Sequence, residues 1–160
     1  MATTESSLTV SVQPAAAPAT IRRGGLCDLE VVAALSTALH TECMQEQPAP
    51  SQRLDSLRRD LLAWGGRLLV AEADAQIVGY CAYNMRQAQL QEIFVTAAFR
   101  GHAIGRDLLA FAERDLEHGN VLSLRVPVEY AGENARAFFA RHGFCPAPQE
   151  ELPLGWQKPL

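Results

Sequence analysis

Along this chain the apolar residues recur at helical spacing in some stretches and alternate with polar ones in others. Ala19 to Arg23 reads as a short first strand, after which Asp28 can cap a helix whose inner face runs through Leu29, Val32, Ala33, Leu35, Ser36 and Leu39. Beyond the segment Gln47 to Pro50, Ser51 caps a second helix with Leu54, Leu57, Leu61 and Leu62 at helical spacing, and Gly65-Gly66 ends it. The period then shortens. Arg67 to Ala73 and Gln76 to Asn84 partly alternate on either side of Asp74-Ala75, as in an antiparallel hairpin, and Leu90 to Val95 is a third such run. From Ile104 to Glu117 the pattern is amphipathic, with Ile104, Leu108, Leu109, Phe111, Ala112 and Leu116 inward and Arg106, Asp107, Glu113 and Arg114 outward. Val121 to Val128 predicts a strand and Glu133 to Arg141 a helix stopped by Gly143, while the tail to Leu160 has little pattern. This order implies an α/β domain with a mixed sheet and helices on both faces.

Composition narrows the class. A length of 160 residues with 48% apolar content suits one domain with one core. The net charge of −4 speaks against a nucleic-acid partner, which needs clustered Lys and Arg, and mildly favours a cationic substrate. Cys27, Cys43, Cys81 and Cys145 form no CxxC pair, so neither a metal site nor a disulfide framework is expected, and this usage fits a reducing cytoplasm. Residues 1–18, rich in Ala, Thr, Ser and Pro, read as a disordered extension without signal-peptide character, ahead of a domain spanning residues 19–160. No stretch reaches the roughly 20 apolar residues of a membrane-spanning helix, so a soluble, cytoplasmic protein without membrane contact is expected.

The candidate chemistry lies in Arg100-Gly101-His102-Ala103-Ile104-Gly105-Arg106, which joins the third run to the amphipathic helix. A strand-to-helix turn aims the first unpaired helical N–H groups at an anion, and glycines let the backbone approach phosphate oxygens. Arg100 and Arg106 add positive charge there. An ordinary turn can also contain glycine, so the loop alone is a weak signal.

Its neighbours strengthen it. Ile93-Phe94-Val95 before the loop, the hairpin Leu69-Val70-Ala71-Glu72 with Ile77-Val78-Gly79-Tyr80, and Ala135-Arg136-Ala137-Phe138-Phe139-Ala140-Arg141-His142-Gly143-Phe144 occur in the order and spacing seen in the GCN5-related N-acetyltransferase (GNAT) superfamily. The chain resembles that family from about Ala19 to Phe144. The resemblance implies a mixed, mostly antiparallel sheet of six to seven strands, splayed between the third run and the Val121–Val128 strand and flanked by about four helices. It implies acetyl-CoA as co-substrate, without a metal, and a small-molecule or peptide amine as acceptor.

Residue by residue, the resemblance assigns the diphosphate to Arg100 through Arg106, His102 included, and the pantetheine arm to Ile93, Phe94 and Val95, with Phe139 beside it and Asn134 either touching that arm or capping its helix. Ala103 stands where the family carries its first glycine, which requires a negative φ at that residue if the Ala is to be tolerated. Gln89 and Gln91 occupy the strand positions where relatives place a glutamate base, and neither can act as one. Glu92 is adjacent and has two readings: a base acting through water, or a structural carboxylate facing the other side of the sheet unless a bulge changes the register. Glu129 is a second candidate base. Phe139 replaces the tyrosine that relatives use as proton donor, and Tyr130 has two readings, a substitute donor or a half-buried aromatic at the strand end. His142 reads as an ordinary helix-end residue. Two functions therefore stay open: an acetyltransferase, and a catalytically weak acyl-CoA-binding sensor or regulator. The sequence leaves the acceptor and a homodimeric state undecided.

Overall fold

The computed structural model describes residues 18–127, 133–147 and 155–160. Nearly all of the expected extension lies outside these residues, as do Val128, Glu129 and Tyr130.

Among the described residues seven strands form one sheet: β1 (Thr20–Arg23), β2 (Gly66–Ala73), β3 (Gln76–Asn84), β4 (Gln89–Val95), β5 (Ser123–Val126), β6 (Cys145–Pro146) and β7 (Trp156–Pro159). Their order is β1-β2-β3-β4-β5-β7-β6. Every pairing is antiparallel except β4 with β5, which run parallel as a strand–helix–strand crossover requires. That parallel ladder has one register pair, Gln89 with Arg125, after which the strands diverge. The expected splay falls at this point.

The described residues include four α-helices: α1 (Leu29–Met44), α2 (Pro50–Leu62) and α3 (Ile104–His118), which pack on the sheet, and α4 (Glu133–Arg141). Their faces follow from β3. Tyr80 donates to Glu92, which is also bonded by α1 and α2, while Tyr83 donates to Asp115 of α3 at 2.7 Å. Residues three apart on a strand lie on opposite faces, so α1 and α2 cover one side and α3 the other. Between them Val70, Ala71, Cys81, Leu108 and Leu116 are fully enclosed, and burial pushes the Cys81 thiol pKa well up.

Several local expectations are corrected. Asp28 sits at the α1 N-cap position but makes no capping bond; its carboxylate takes Arg22 Nη1 and Nη2 at 3.0 and 2.9 Å and the Gly25 N–H at 2.9 Å. A bidentate guanidinium outcompetes a lone helix N–H. Helix α2 starts at Pro50 with Ala49 as N-cap, not at Ser51, because proline's fixed φ suits the first helical position. The tail adds two short strands, with β7 inserted between β5 and β6.

Candidate active site

Where β4 and β5 part, a cleft of about 750 Å³ opens between α1, β4, the loop at 100–106 and α4. Ile93, Phe94 and Val95 line it from β4, as do Arg100, Gly101 and Ala103 through Arg106, and Asn134 and Phe139 from α4. The structure thus brings together all the residues expected to hold acyl-CoA except His102. That side chain is exposed, its Nδ1 near the carbonyl oxygens of Phe99 and Arg100 at 3.2 and 3.1 Å.

The loop is built to turn sharply. Gly101 has φ +80 with open space around its Cα, and Ala103, the residue before α3, has φ +63. The negative φ expected for Ala103 is therefore not adopted: alanine takes the left-handed conformation that glycine occupies without strain. No side chain caps α3, so the amides of its first turn stay available to an anion. Gly105 is the close-approach point, since a Cβ there would lie 3.2 Å from the Phe138 ring and 3.8 Å from Val95.

Both loop arginines have carboxylate partners. Arg100 Nη2 donates to Glu42 at 2.6 Å, its Nε to the Val95 carbonyl at 2.9 Å, and the guanidinium lies over the Phe94 ring at 5.3 Å. Arg106 pairs with Asp107 at 2.9 Å. These pairs are exposed, worth at most about 1 kcal/mol each, and a diphosphate can displace them. The sequence reading also missed Arg141 and His142, which line the same cleft from the end of α4. His142 Nδ1 lies 2.7 Å from the Phe138 carbonyl and its ring stacks on Phe138 with centroids 4.4 Å apart. Phe139 is 1% exposed, packed edge-on against Phe138 and Phe144.

Glu92 has a different environment. β3 and β4 shift register between Leu90, paired with Tyr83, and Glu92, paired with Ala82, which makes Gln91 the extra residue of a bulge. Glu92 faces α1 and α2 and is 8% exposed. Its Oε2 accepts from Ser36 Oγ at 2.8 Å and Tyr80 Oη at 2.5 Å, and its Oε1 from Arg53 Nη2, with His40 Nε2 at 3.3 Å. Arg53 Nε also donates to Ser36 Oγ at 2.9 Å. Burial pushes the Glu92 carboxyl up, but His40, Tyr80, Arg53 and Ser36 together hold it below the ordinary carboxylate range. A charged carboxylate so fully engaged is a weak proton acceptor. Gln91 borders a separate void of about 10 Å³ among Leu57, Leu61 and Leu68, room for one water at most.

His40 was not anticipated. The bond to Glu92 raises its pKa above the ordinary 6.5, against the effect of burial. Its Nδ1 is buried without a hydrogen-bond partner, 3.5 Å from Glu46. The available signal was spacing, since Ser36 and His40 lie one turn apart on α1 and Ser36 already interrupts an apolar face.

A splayed mixed sheet, helices on both of its faces and an open cleft at the splay define the class of α/β domain. The family model described as "Acetyltransferase (GNAT) domain" matches residues 64–146, more than half of the chain, and the protein belongs to this family. Among solved structures, a GNAT-family acetyltransferase from Staphylococcus aureus Mu50 superposes with a TM-score of 0.73 at 16% identity, over 89% of this chain and 99% of that one. The paiA N-acetyltransferase of Thermoplasma acidophilum, solved in complex with coenzyme A, gives the same values. The yncA structure of Salmonella typhimurium, with its cofactor acetyl-CoA, has a TM-score of 0.66 at 17% identity over 90% of this chain and 95% of that one. At such identities the likeness is one of fold. No curated protein sequence matches the chain. Among the described residues no helix is long and apolar enough to cross a membrane, and no cluster of His, Cys, Asp and Glu could hold a metal ion.

Proposed function

We propose that the protein transfers an acetyl group from acetyl-CoA to a primary amine of a small molecule or peptide. The observation that carries this reading is the uncapped start of α3 facing the cleft at the splay, in a chain of the acetyltransferase family. The first-turn amides of α3, with Arg100 and Arg106 released from their carboxylate partners, would bind the diphosphate. Ile93 and Val95 would align the pantetheine arm as a further strand beside β4. Asn134 and Phe139 would flank it from α4. Acetyl-CoA supplies the activated thioester.

The residues must then supply proton transfer. An alkylamine with a pKa near 10.4 is almost wholly protonated at neutral pH and must lose a proton before its nitrogen can attack. Glu129 as base and Tyr130 as donor to the departing thiolate are assigned from sequence alone. A second reading, an acyl-CoA-binding sensor, is favoured by one specific observation: Phe139 offers no proton at the position where relatives carry a tyrosine.

Thermal unfolding with acetyl-CoA tests the shared part of both readings. At a free concentration 100 times its Kd the ligand should stabilise the fold by about 2.7 kcal/mol. Gly105→Glu, which puts a carboxylate and a side chain where a Cβ already crowds Phe138, should abolish the shift. An unchanged shift in that variant moves the ligand elsewhere. Release of CoA thiol with phenethylamine, putrescine or a lysyl peptide then separates enzyme from sensor.

A further inference from the structure

Helix α4 runs along the cleft, and its residues meet the parts of the site in order. Asn134 lines the cleft near the start of the helix, and Phe138, one turn later, packs where a Cβ on Gly105 would lie. Arg141 and His142 line the cleft at its end. From Asn134 to Arg141 the helix rises roughly 10 Å. Acyl-CoA has its parts in the same order: the pantetheine arm, the diphosphate, then a ribose whose 3′ oxygen carries a phosphate monoester. With the arm beside Asn134 and the diphosphate on the α3 amides next to Phe138, the ribose comes to Arg141 and His142.

The two side chains there suit a phosphate. Arg141 is exposed and, among the described residues, has no carboxylate partner, unlike Arg100 and Arg106. His142 is half-buried and its ring is held in place: the ring centroid lies 4.4 Å from that of Phe138, and Nδ1 lies 2.7 Å from the Phe138 carbonyl oxygen. A carbonyl oxygen only accepts, so Nδ1 carries the hydrogen, and in the neutral ring Nε2 is left with a lone pair. A lone pair repels a phosphate oxygen. The ring must take up a proton before Nε2–H can donate to one.

We propose that Arg141 and His142 hold the 3′-phosphate of acyl-CoA, and that His142 takes up one proton from solvent as this phosphate binds. The inference rests on the acyl-CoA reading above and gives partners to a part of the ligand that reading leaves without any. The charged groups on the elements packed against this end of α4 are Arg106 and Glu113 of α3 and Lys158 of β7, whose Cε lies 3.4 Å from where a Cβ on Gly143 would be. Lys158 Nζ donates to Glu113 at 2.8 Å, so these two neutralise each other, and Arg106 pairs with Asp107 beside the diphosphate site. Arg141 and the protonated ring of His142 therefore face the phosphate as unpaired cations. It accepts a guanidinium N–H and the imidazolium Nε2–H, both charge-assisted bonds. An analogue without the 3′-phosphate loses both.

The test needs no turnover and no acceptor. Calorimetric titration of the full chain with acetyl-CoA and with acetyl-3′-dephospho-CoA reads the preference, and repeating it in two buffers of different ionisation heat counts the protons taken up. At pH of about 7.5 a phosphate monoester, whose second pKa is about 6, is already a dianion, so the ligand itself supplies no uptake. The wild type should bind acetyl-CoA roughly 10–100-fold more tightly than the dephospho form, with proton uptake for acetyl-CoA alone. Arg141→Gln should narrow the preference and keep the uptake. His142→Gln, whose amide donates without titrating, should keep part of the preference and lose the uptake. Equal affinity of the wild type for the two ligands overturns the subsite, and a preference unchanged in Arg141→Gln overturns the part given to Arg141. Uptake that is absent in the wild type, equal for both ligands, or still present in His142→Gln overturns the part given to His142. The wild-type measurements decide even where a variant fails to fold. If neither ligand binds, the acyl-CoA reading itself fails and this subsite with it.

Discussion

At the scale of single residues, Ala103 and the Glu92 cluster carry the most consequence. Ala103 holds φ +63 at the start of α3, a conformation costing an L-residue roughly 1 kcal/mol relative to glycine. Ala103→Gly should therefore raise stability by about 0.5–1 kcal/mol in a denaturant melt, offset in part by the entropy glycine adds to the unfolded chain. A lower midpoint would mean that the methyl group makes compensating contacts. The cluster predicts a pH signature. The Glu92 carboxyl is held below its ordinary 4.5, so its contribution is present above that value and is lost as pH falls through the lower folded pKa. Asp28 and Asp115, also held low by arginine partners, act in the same direction. His40 has the opposite sign: its pKa is raised above 6.5, so its contribution is complete below 6.5 and fades as pH rises through the raised value. Melting temperature against pH should peak between these windows. His40→Gln should remove the decline on the neutral side while leaving the acid limb, and an unchanged neutral decline would assign it to another group.

At the scale of elements, what was legible in the sequence depended on whether a local pattern decided the outcome. The hairpin of β2 and β3 was legible because alternation and the Asp74-Ala75 turn agree; both turn residues take positive φ, 49 and 60, as a two-residue hairpin demands. The helices were legible from their apolar stripes. Their caps were not, because Asp28 was taken by Arg22, a partner brought in by the pairing of β1 with β2. The bulge at Gln91 could be named only as a condition, since nothing local to β4 dictates which neighbour absorbs the extra residue. The strand-to-helix turn at 100–106 was legible from its glycines and borders the cleft, whereas the groups around Glu92 come from α1, α2 and β3 and meet only after folding. Strand β7 was illegible: it is four residues long, holds Pro159, and exists because β5 and β6 need a partner. Its ties are nonetheless specific. Lys158 Nζ donates to Glu113 of α3 at 2.8 Å and the Leu160 N–H to the Leu122 carbonyl at 3.0 Å. Deleting residues 156–160 leaves β5 without its antiparallel neighbour and should lower the melting temperature by several degrees. Cleavage of the α4 region by protease should then quicken, and a melting temperature within a degree of the full chain would show that β5 stands without β7.

At the scale of the whole molecule, the splay divides the sheet into unequal parts. β1 through β4 form a continuous antiparallel ladder covered by α1, α2 and α3, while β5, β7 and β6 form a second ladder joined to the first at Gln89 and Arg125. Arg125 strengthens that seam by donating its N–H to the Ala88 carbonyl at 2.9 Å and its Nη2 to the Gln87 carbonyl at 3.1 Å. Beyond the seam, β4 is separated from α4 by the cleft. Small, poorly seamed ladders open at lower free energy than large continuous ones, so amides of β5 and β7 should exchange faster than those of β2 and β3. A ligand lying along β4 and touching α4 binds only when both parts are in place, which couples their opening. Acetyl-CoA should therefore slow exchange in β5, β7 and α4 as well as in the loop at 100–106. By mass action the protection should saturate with the same Kd that governs the thermal shift. Replacing Arg125 with Ala should widen the difference in exchange between the two ladders without ligand, and acetyl-CoA should narrow it again. Protection confined to the loop, with β5 and β7 unchanged at saturating ligand, would mean that the ligand rests on the α3 end alone and that the splay is not bridged.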